Sequence, residues 1–198
     1  MAHMRPVLAI ALFAAPALFA QAPAQQTYAQ VFDGQVSAIE REVLGLAQKM
    51  PAERYNFAPA TGTPPNGTFD GVRTFALQVR HIATLMYELS AGILDEKAPV
   101  DIGTTDNGPD SLQTKDQIIA YFQGAIAFAH KAARSITAEN ALAPIRPVDG
   151  RPTRAAAAAF IGLHTYDHYG QMVVYARLNG VTPGGGPPGG GKGKAKGK

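Results

Sequence analysis

The stretch AAAAAFIGLHTYDHYGQMVVYARLNGVTP, residues 155–183, predicts one long helix that carries two histidines. His164 and His168 are four residues apart, and this spacing places both imidazoles on one helix face, one turn from each other. An i,i+4 pair of histidines can bind one metal ion. Two ligands do not complete a site, so the function of this helix depends on whether the fold supplies a third ligand.

Three further segments have the apolar periodicity of amphipathic helices. The first runs from about Thr27 to Lys49, where Pro51 ends it. The second runs from about Asp70 to Ile93, with Thr68 or Thr74 as the N-cap. Their apolar stripes recur at spacings of four and three and comprise Phe32, Val36, Ile39, Val43, Leu46 and Met50, then Phe75, Val79, Ile82, Met86, Leu89 and Ile93.

The third segment starts at Thr114, where Thr114 and Gln117 form a predicted capping box, and its stripe reaches Ile136. For the fourth helix, Thr153 suits the start, and Asn179-Gly180 suits the end. No stretch reads as a convincing strand, although residues 148–151 predict a tight turn. The predicted fold is therefore all-α, a four-helix bundle with long loops, which are uncommon unless they cover a site.

Composition excludes several classes of function. The chain has 198 residues, a formal net charge of +3 and no cysteine, so disulfides, thiolate metal sites and a cysteine nucleophile are excluded. Five of its 18 basic residues lie near the termini, at Arg5 and at Lys192, Lys194, Lys196 and Lys198. The 13 other basic residues are outnumbered by the 15 acidic residues. The body of the chain is therefore not basic, and we expect no nucleic-acid partner.

The two ends of the chain differ from the predicted bundle of residues 25–183. Residues 1–24 read as a secretory signal peptide, with Arg5, the apolar run 7–20 and the small residues Ala22 and Ala24 before a cleavage site. An uncleaved N-terminal anchor is the alternative. We expect a periplasmic or extracellular protein without stable membrane insertion after cleavage. Residues 184–198, rich in Gly, Pro and Lys, are predicted to be disordered.

His81 lies at the edge of the second apolar stripe and is the candidate third ligand. His81, His164 and His168 would give a divalent metal three imidazoles and leave one position open, as in catalytic rather than structural sites. Such a set suits zinc, nickel, iron or copper. The alternative is three separate core or seam histidines, each hydrogen-bonded. His130, beside the third stripe, is interpreted as an ordinary surface or seam histidine.

Three polar residues near this candidate site have two interpretations each. Asp167 could orient an imidazole or be a solvated helix charge. Gln171 could bind a metal-bound water or be a neutral helix residue. Tyr175 could donate a hydrogen bond to a substrate, or be a buried tyrosine with its hydroxyl at a loop. No catalytic acid or base is identified.

The segments FALQVRHIATLMY (75–87) and LHTYDHYGQMVVYARLNGVTP (163–183) resemble the DinB family of DinB/YfiT-like metalloenzymes. The loop PAERYNFAPA (51–60) extends the resemblance, which covers most of residues 26–183. The resemblance implies an up-down-down-up bundle that binds a divalent metal through His81, His164 and His168. Members of known activity are metal-dependent thiol transferases using thiols such as bacillithiol or mycothiol, and relatives of maleylpyruvate isomerase. The predicted export distinguishes this chain from the thiol-using enzymes, which work in the cytoplasm, where such thiols are plentiful.

Three functional hypotheses follow. The first is a metal-dependent enzyme of transferase or hydrolase type, in which the metal activates a water or thiol towards an unknown small-molecule substrate. The second is a non-catalytic metal-binding or sensing bundle of the bacterial cell envelope. The third is a structural bundle without metal. A homodimer is left open, because no exposed stripe requires one.

Overall fold

The computed structural model describes residues 25–60 and 66–184. The first helical segment comprises α1 (Tyr28–Ile39), a π-helical turn (Glu40–Leu44) and α2 (Gly45–Lys49). Thr27 caps it through a capping box with Gln30, and an N-cap of this kind stabilises a helix by about 1 kcal/mol. The predicted first helix is confirmed. The predicted signal peptide (1–24) and nearly all of the predicted C-terminal tail (184–198) lie outside the described residues.

The second long helix, α3, spans Phe75–Leu94. It begins five residues after the start near Asp70 that the sequence predicted. Thr74, not Thr68, is the N-cap, and its side chain accepts a hydrogen bond from the backbone of Leu77. The next two backbone N–H groups donate to the preceding loop, Phe75 to Phe57 and Ala76 to Tyr55. These bonds satisfy donors that a helix start leaves without partners, so the helix begins here.

The remaining helices follow the predicted boundaries closely. α4 spans Lys115–Arg134, and Thr114 caps it in the predicted capping box with Gln117. α5 spans Arg154–Leu178, and the Thr153 side chain accepts a hydrogen bond from the backbone of Ala156. Beyond its end Gly180 has a φ of 74°, the left-handed conformation that glycine adopts without strain.

The expectation of an all-α fold without strands is wrong in one place. β1 (Pro144–Val148) and β2 (Arg151–Thr153) pair as a short antiparallel hairpin before α5. The predicted tight turn joins them, with Asp149 at φ 46° and Gly150 at φ 73°, the two positive values that a two-residue hairpin turn requires. Both strands contain proline, which edge strands tolerate. Because proline in a sequence is typical of loops, the hairpin was not predicted.

The four helical segments enclose one core. α1 packs against α4 and α5, and α3 also packs against α4 and α5. Fully buried side chains fill the centre, among them Ile39, Phe75, Ile82, Phe122, Ala129 and Met172. Burial of each large apolar side chain contributes roughly 1.5–3 kcal/mol. No helix among the described residues is long and apolar enough to cross a membrane.

α3 and α5 run antiparallel, and this arrangement positions the candidate site. Gln78 is hydrogen-bonded to Gln171, whereas His81, one turn further along α3, contacts His164, two turns earlier on α5. The loop 95–114 between α3 and α4 folds back over this contact, with the Asp106 backbone against His81. A histidine from α3 and two histidines from α5 therefore meet under a long loop.

Candidate metal centre

The imidazoles of His81, His164 and His168 converge through their Nε2 atoms. The Nε2 of His164 lies 2.9 Å from that of His81 and 3.1 Å from that of His168. One candidate ligand atom from each residue lies within 4.8 Å of the others. The sequence placed two of these ligands on one helix, and the structure brings the third from a neighbouring helix.

The outward-facing nitrogens of two of the rings are hydrogen-bonded to oxygen acceptors. His81 Nδ1 lies 2.5 Å from the backbone oxygen of Asp106, and His168 Nδ1 lies 2.6 Å from Oε1 of Gln78. A carbonyl oxygen only accepts, so each Nδ1 carries the proton and donates it. In a neutral imidazole the Nε2 lone pair then faces the centre of the cluster. Converging lone pairs repel one another unless a proton or cation lies between them.

This donor set fits a divalent transition metal. Zinc–imidazole bonds are about 2.0–2.1 Å long, so neighbouring nitrogens in a tetrahedral site are separated by roughly 3.3 Å. The two observed separations are a few tenths of an ångström shorter, a difference that small rotations of the rings remove. Three imidazoles leave a fourth position for a water or substrate.

Burial keeps the three imidazoles neutral. His81 and His168 are buried, while His164 is half-buried. Burial, together with the neighbouring His168, His81 and Arg73, lowers the pKa of His164 to about 3. Burial also lowers the pKa of His168 to about 4 and lowers that of His81. At neutral pH all three are therefore in the form that binds metal.

The half-buried His164 is the most accessible of the three rings, and aromatic and cationic groups flank it. The Phe160 ring lies 5.7 Å from the His164 ring between centroids. The guanidinium of Arg151, from β2, lies 3.6 Å from the centre of the Phe160 ring, close enough for a cation–π contact. The hairpin residue Arg151 thus stacks on the aromatic ring that neighbours His164.

The three other predicted site residues do not contact the centre of the cluster. Asp167 is exposed, and its charge offsets only part of the lowering of the His168 pKa by burial. Gln171 accepts a hydrogen bond from Gln78 Nε2 at 2.9 Å. Tyr175 is buried, and its hydroxyl is hydrogen-bonded to Gln78. The interpretation of Asp167 as a solvated helix charge agrees with its exposure.

Sequence reasoning missed two residues that support the cluster. Gln78 is 1% exposed and connects His168 with Gln171. Its position three residues before His81, on the same helix face, was the available signal. Asp106 accepts the hydrogen bond from His81 through its backbone oxygen, and no sequence pattern indicates a backbone acceptor. Its carboxylate pairs with Arg73 at 2.6 Å, and Arg73 also donates to Asn107, so the loop is fixed over His81.

His130 lies outside this cluster. Its Nδ1 is 2.6 Å from a carboxylate oxygen of Asp33 on α1, and its Nε2 is 3.7 Å from Glu40. The histidine therefore joins α4 to the first helical segment, in agreement with its interpretation as a seam residue.

The fold and the cluster together define a helical bundle with a three-histidine site suited to a divalent metal. The sequence pattern of the DinB superfamily matches residues 35–172, which is more than half of the chain and includes all three histidines. The chain belongs to the DinB superfamily. No curated protein matches it.

Proposed function

We propose that this protein binds one divalent transition metal through His81, His164 and His168 and is a metal-dependent enzyme of transferase or hydrolase type. The observation that supports it most strongly is the convergence of the three Nε2 atoms, with the His81 and His168 rings held by outward hydrogen bonds. Zinc, nickel and iron all accept imidazole ligands. When bound, the metal would increase the acidity of a water or thiol in the open position or polarise a carbonyl.

The chain itself orients the ligands and limits the access of water. Gln78 and the Asp106 backbone fix the ring orientations of His168 and His81, as outer hydrogen-bond partners do in many metal sites. The loop 95–114 covers His81, which leaves the half-buried His164 as the most accessible of the three rings. No described side chain stands out as a general base, and proton transfer would use the metal-bound group and the solvent.

The up-down-down-up order and the export of the chain are further parts of this proposal. Contacts between Asp33 and Arg134, and between Gln48 and Lys115, support an antiparallel pairing of the first helical segment with α4. The α3–α5 pair is also antiparallel, and these directions fit the proposed order. The Arg5 and apolar pattern of residues 1–24 supports export to the periplasm or the extracellular medium, with the bundle of residues 25–183 as the mature domain.

The test is the metal content of the mature protein, purified without chelator or an affinity nickel column, measured by elemental analysis. We expect about one equivalent of transition metal and its loss in His164→Ala. The matched control is His130→Ala, which removes a histidine outside the cluster and should retain the metal. Absence of metal, with no binding of added zinc, nickel or iron, would refute the proposal.

A further inference from the structure

A pocket of about 780 Å³ lies beside the histidine cluster, between the C-terminal half of α5 and the loop before α3. Its volume is within the range of roughly 300–1,000 Å³ that is typical of small-molecule sites. Its carbon-rich wall is formed mainly by Phe57, Phe69, Val72, Val174, Tyr175 and Leu178. Gln171 is the polar residue at the edge nearest to the cluster.

The wall of this pocket continues the helix face that carries the metal ligands. His164, His168, Gln171, Tyr175 and Leu178 follow one another at spacings of four, three, four and three, which places all five on one face of α5. Gln171 is three residues beyond His168, about 4.5 Å along the helix axis. A ligand in the pocket would therefore contact α5 about one turn beyond His168.

The chemistry of the lining favours an uncharged ligand. None of the described residues that line the pocket is charged, so an ionic ligand would lose its hydration without gaining a partner. Of the two polar side chains, Gln171 accepts a hydrogen bond from Gln78, and the Tyr175 hydroxyl is also bonded to Gln78. The surface offered to a ligand is thus almost entirely carbon.

Three exposed apolar side chains lie together at the rim of this pocket. Val72, Val174 and Leu178 are 38%, 53% and 60% exposed. Contiguous exposed apolar side chains next to a concave site mark a binding surface more often than isolated ones do. The floor is rigid, because Tyr175 is buried and packs edge-on against Phe57 at 5.8 Å between ring centroids.

We propose that this pocket binds an uncharged, apolar group, aliphatic or aromatic, of a small molecule whose reactive part lies at the histidine cluster. The role as a substrate site rests on the proposed function, whereas the binding itself does not. A hydrogen-bonded chain runs from Gln171 through Gln78 to His168. The occupant of the pocket would therefore contact Gln171, which is hydrogen-bonded to Gln78, the residue that orients His168.

The test uses the neutral dye Nile red, titrated into the full chain with a chelator present, and follows the rise and blue shift of its fluorescence. We expect saturable binding and an affinity about tenfold lower in Val174→Glu, because the new carboxylate would face an apolar wall. Val31→Glu is the matched control. Val31 is a helical valine, 49% exposed, outside the pocket, so its variant should bind the dye as the wild type does.

A competition experiment tests the preference for uncharged ligands. We expect 1-decanol to displace the dye at a lower concentration than decanoate, because no cationic side chain lines the described wall. Absence of saturable dye binding, equal binding by Val174→Glu, or stronger displacement by decanoate would overturn the proposal. If the protein holds no metal but dye binding remains sensitive to Val174→Glu, the proposed function fails and the pocket assignment stands.

Discussion

The Nε2 atoms of His81 and His164 lie 2.9 Å apart, although 83 residues separate the two histidines in the chain. The contact exists because α3 and α5 run antiparallel and present their histidines at the same level of the bundle. With His168 one turn away, the pair makes a three-nitrogen donor set from two rigid helices. Sites built on such elements are held more precisely than sites on loops.

Removal of the ligand from α3 should abolish stabilisation by metal. A metal that binds only the folded state adds about 2.7 kcal/mol at a free concentration 100 times the dissociation constant. We expect zinc to raise the melting temperature of the wild type and to leave that of His81→Ala unchanged. Thermal unfolding with and without zinc checks this. An equal zinc-dependent shift in His81→Ala would remove His81 from the site.

Gln78 should control metal affinity without touching the metal. Gln78→Leu removes the acceptor for His168 Nδ1, and the loss of such an outer partner typically lowers metal affinity about 10- to 100-fold. Gln78→Glu keeps an acceptor, so its affinity should equal or exceed that of the wild type. Competition with a chromophoric chelator measures all three affinities. The same affinity for Gln78→Leu and the wild type would show that His168 is oriented by packing alone.

The metal-free protein should lose stability as the pH falls below 6.5. The pKa of His164 is lowered from 6.5 to about 3 by burial and by neighbouring charges. Above pH 6.5 the His164 imidazole is neutral in both the folded and the unfolded protein. Below it the unfolded chain binds a proton that the folded chain does not, so stability is lost progressively towards pH 3.

His164→Gln should make this pH dependence shallower. Between pH 7 and pH 5 the variant should lose less free energy of unfolding than the wild type, by on the order of 1 kcal/mol after allowance for the partial exposure of His164. Urea denaturation at pH 7 and pH 5, with a chelator present, gives the free energies. His130→Gln serves as the comparison, because His130 lies outside the cluster. If His164→Gln and the wild type lost equal stability on acidification, the imidazole would not be the group responsible.

The close approach of α3 and α4 at Gly124 should not tolerate a side chain. A Cβ added at Gly124 would overlap the hydroxyl of Tyr87, which is 1% exposed and cannot move into solvent. We expect Gly124→Ala to destabilise the fold by about 1–3 kcal/mol. Gly34→Ala, on α1 with open space around the new Cβ, should be neutral or stabilising by up to about 1 kcal/mol. Chemical denaturation of both variants measures the difference, and equal effects would contradict the proposed overlap.

The helices were predictable because the residues that specify them are local. Thr114 and Gln117 are three residues apart, and the apolar stripes record which face of each helix is buried. The hairpin at 144–153 was missed for a local reason too, since prolines in both strands are characteristic of loops. The start of α3 depended on hydrogen bonds to Phe57 and Tyr55, which lie in a preceding loop that propensity does not describe.

The sequence by itself determined the four helical segments, the His164–His168 pair and the membership of the DinB superfamily, because spacing along one helix fixes which side chains share a face. Only the tertiary structure decided which distant groups meet. It placed His81 against His164, Gln78 against His168, and the Asp106 backbone against His81. It also arranged the apolar wall beside Gln171 from two separate segments. These contacts depend on the packing of whole helices, which no local pattern records.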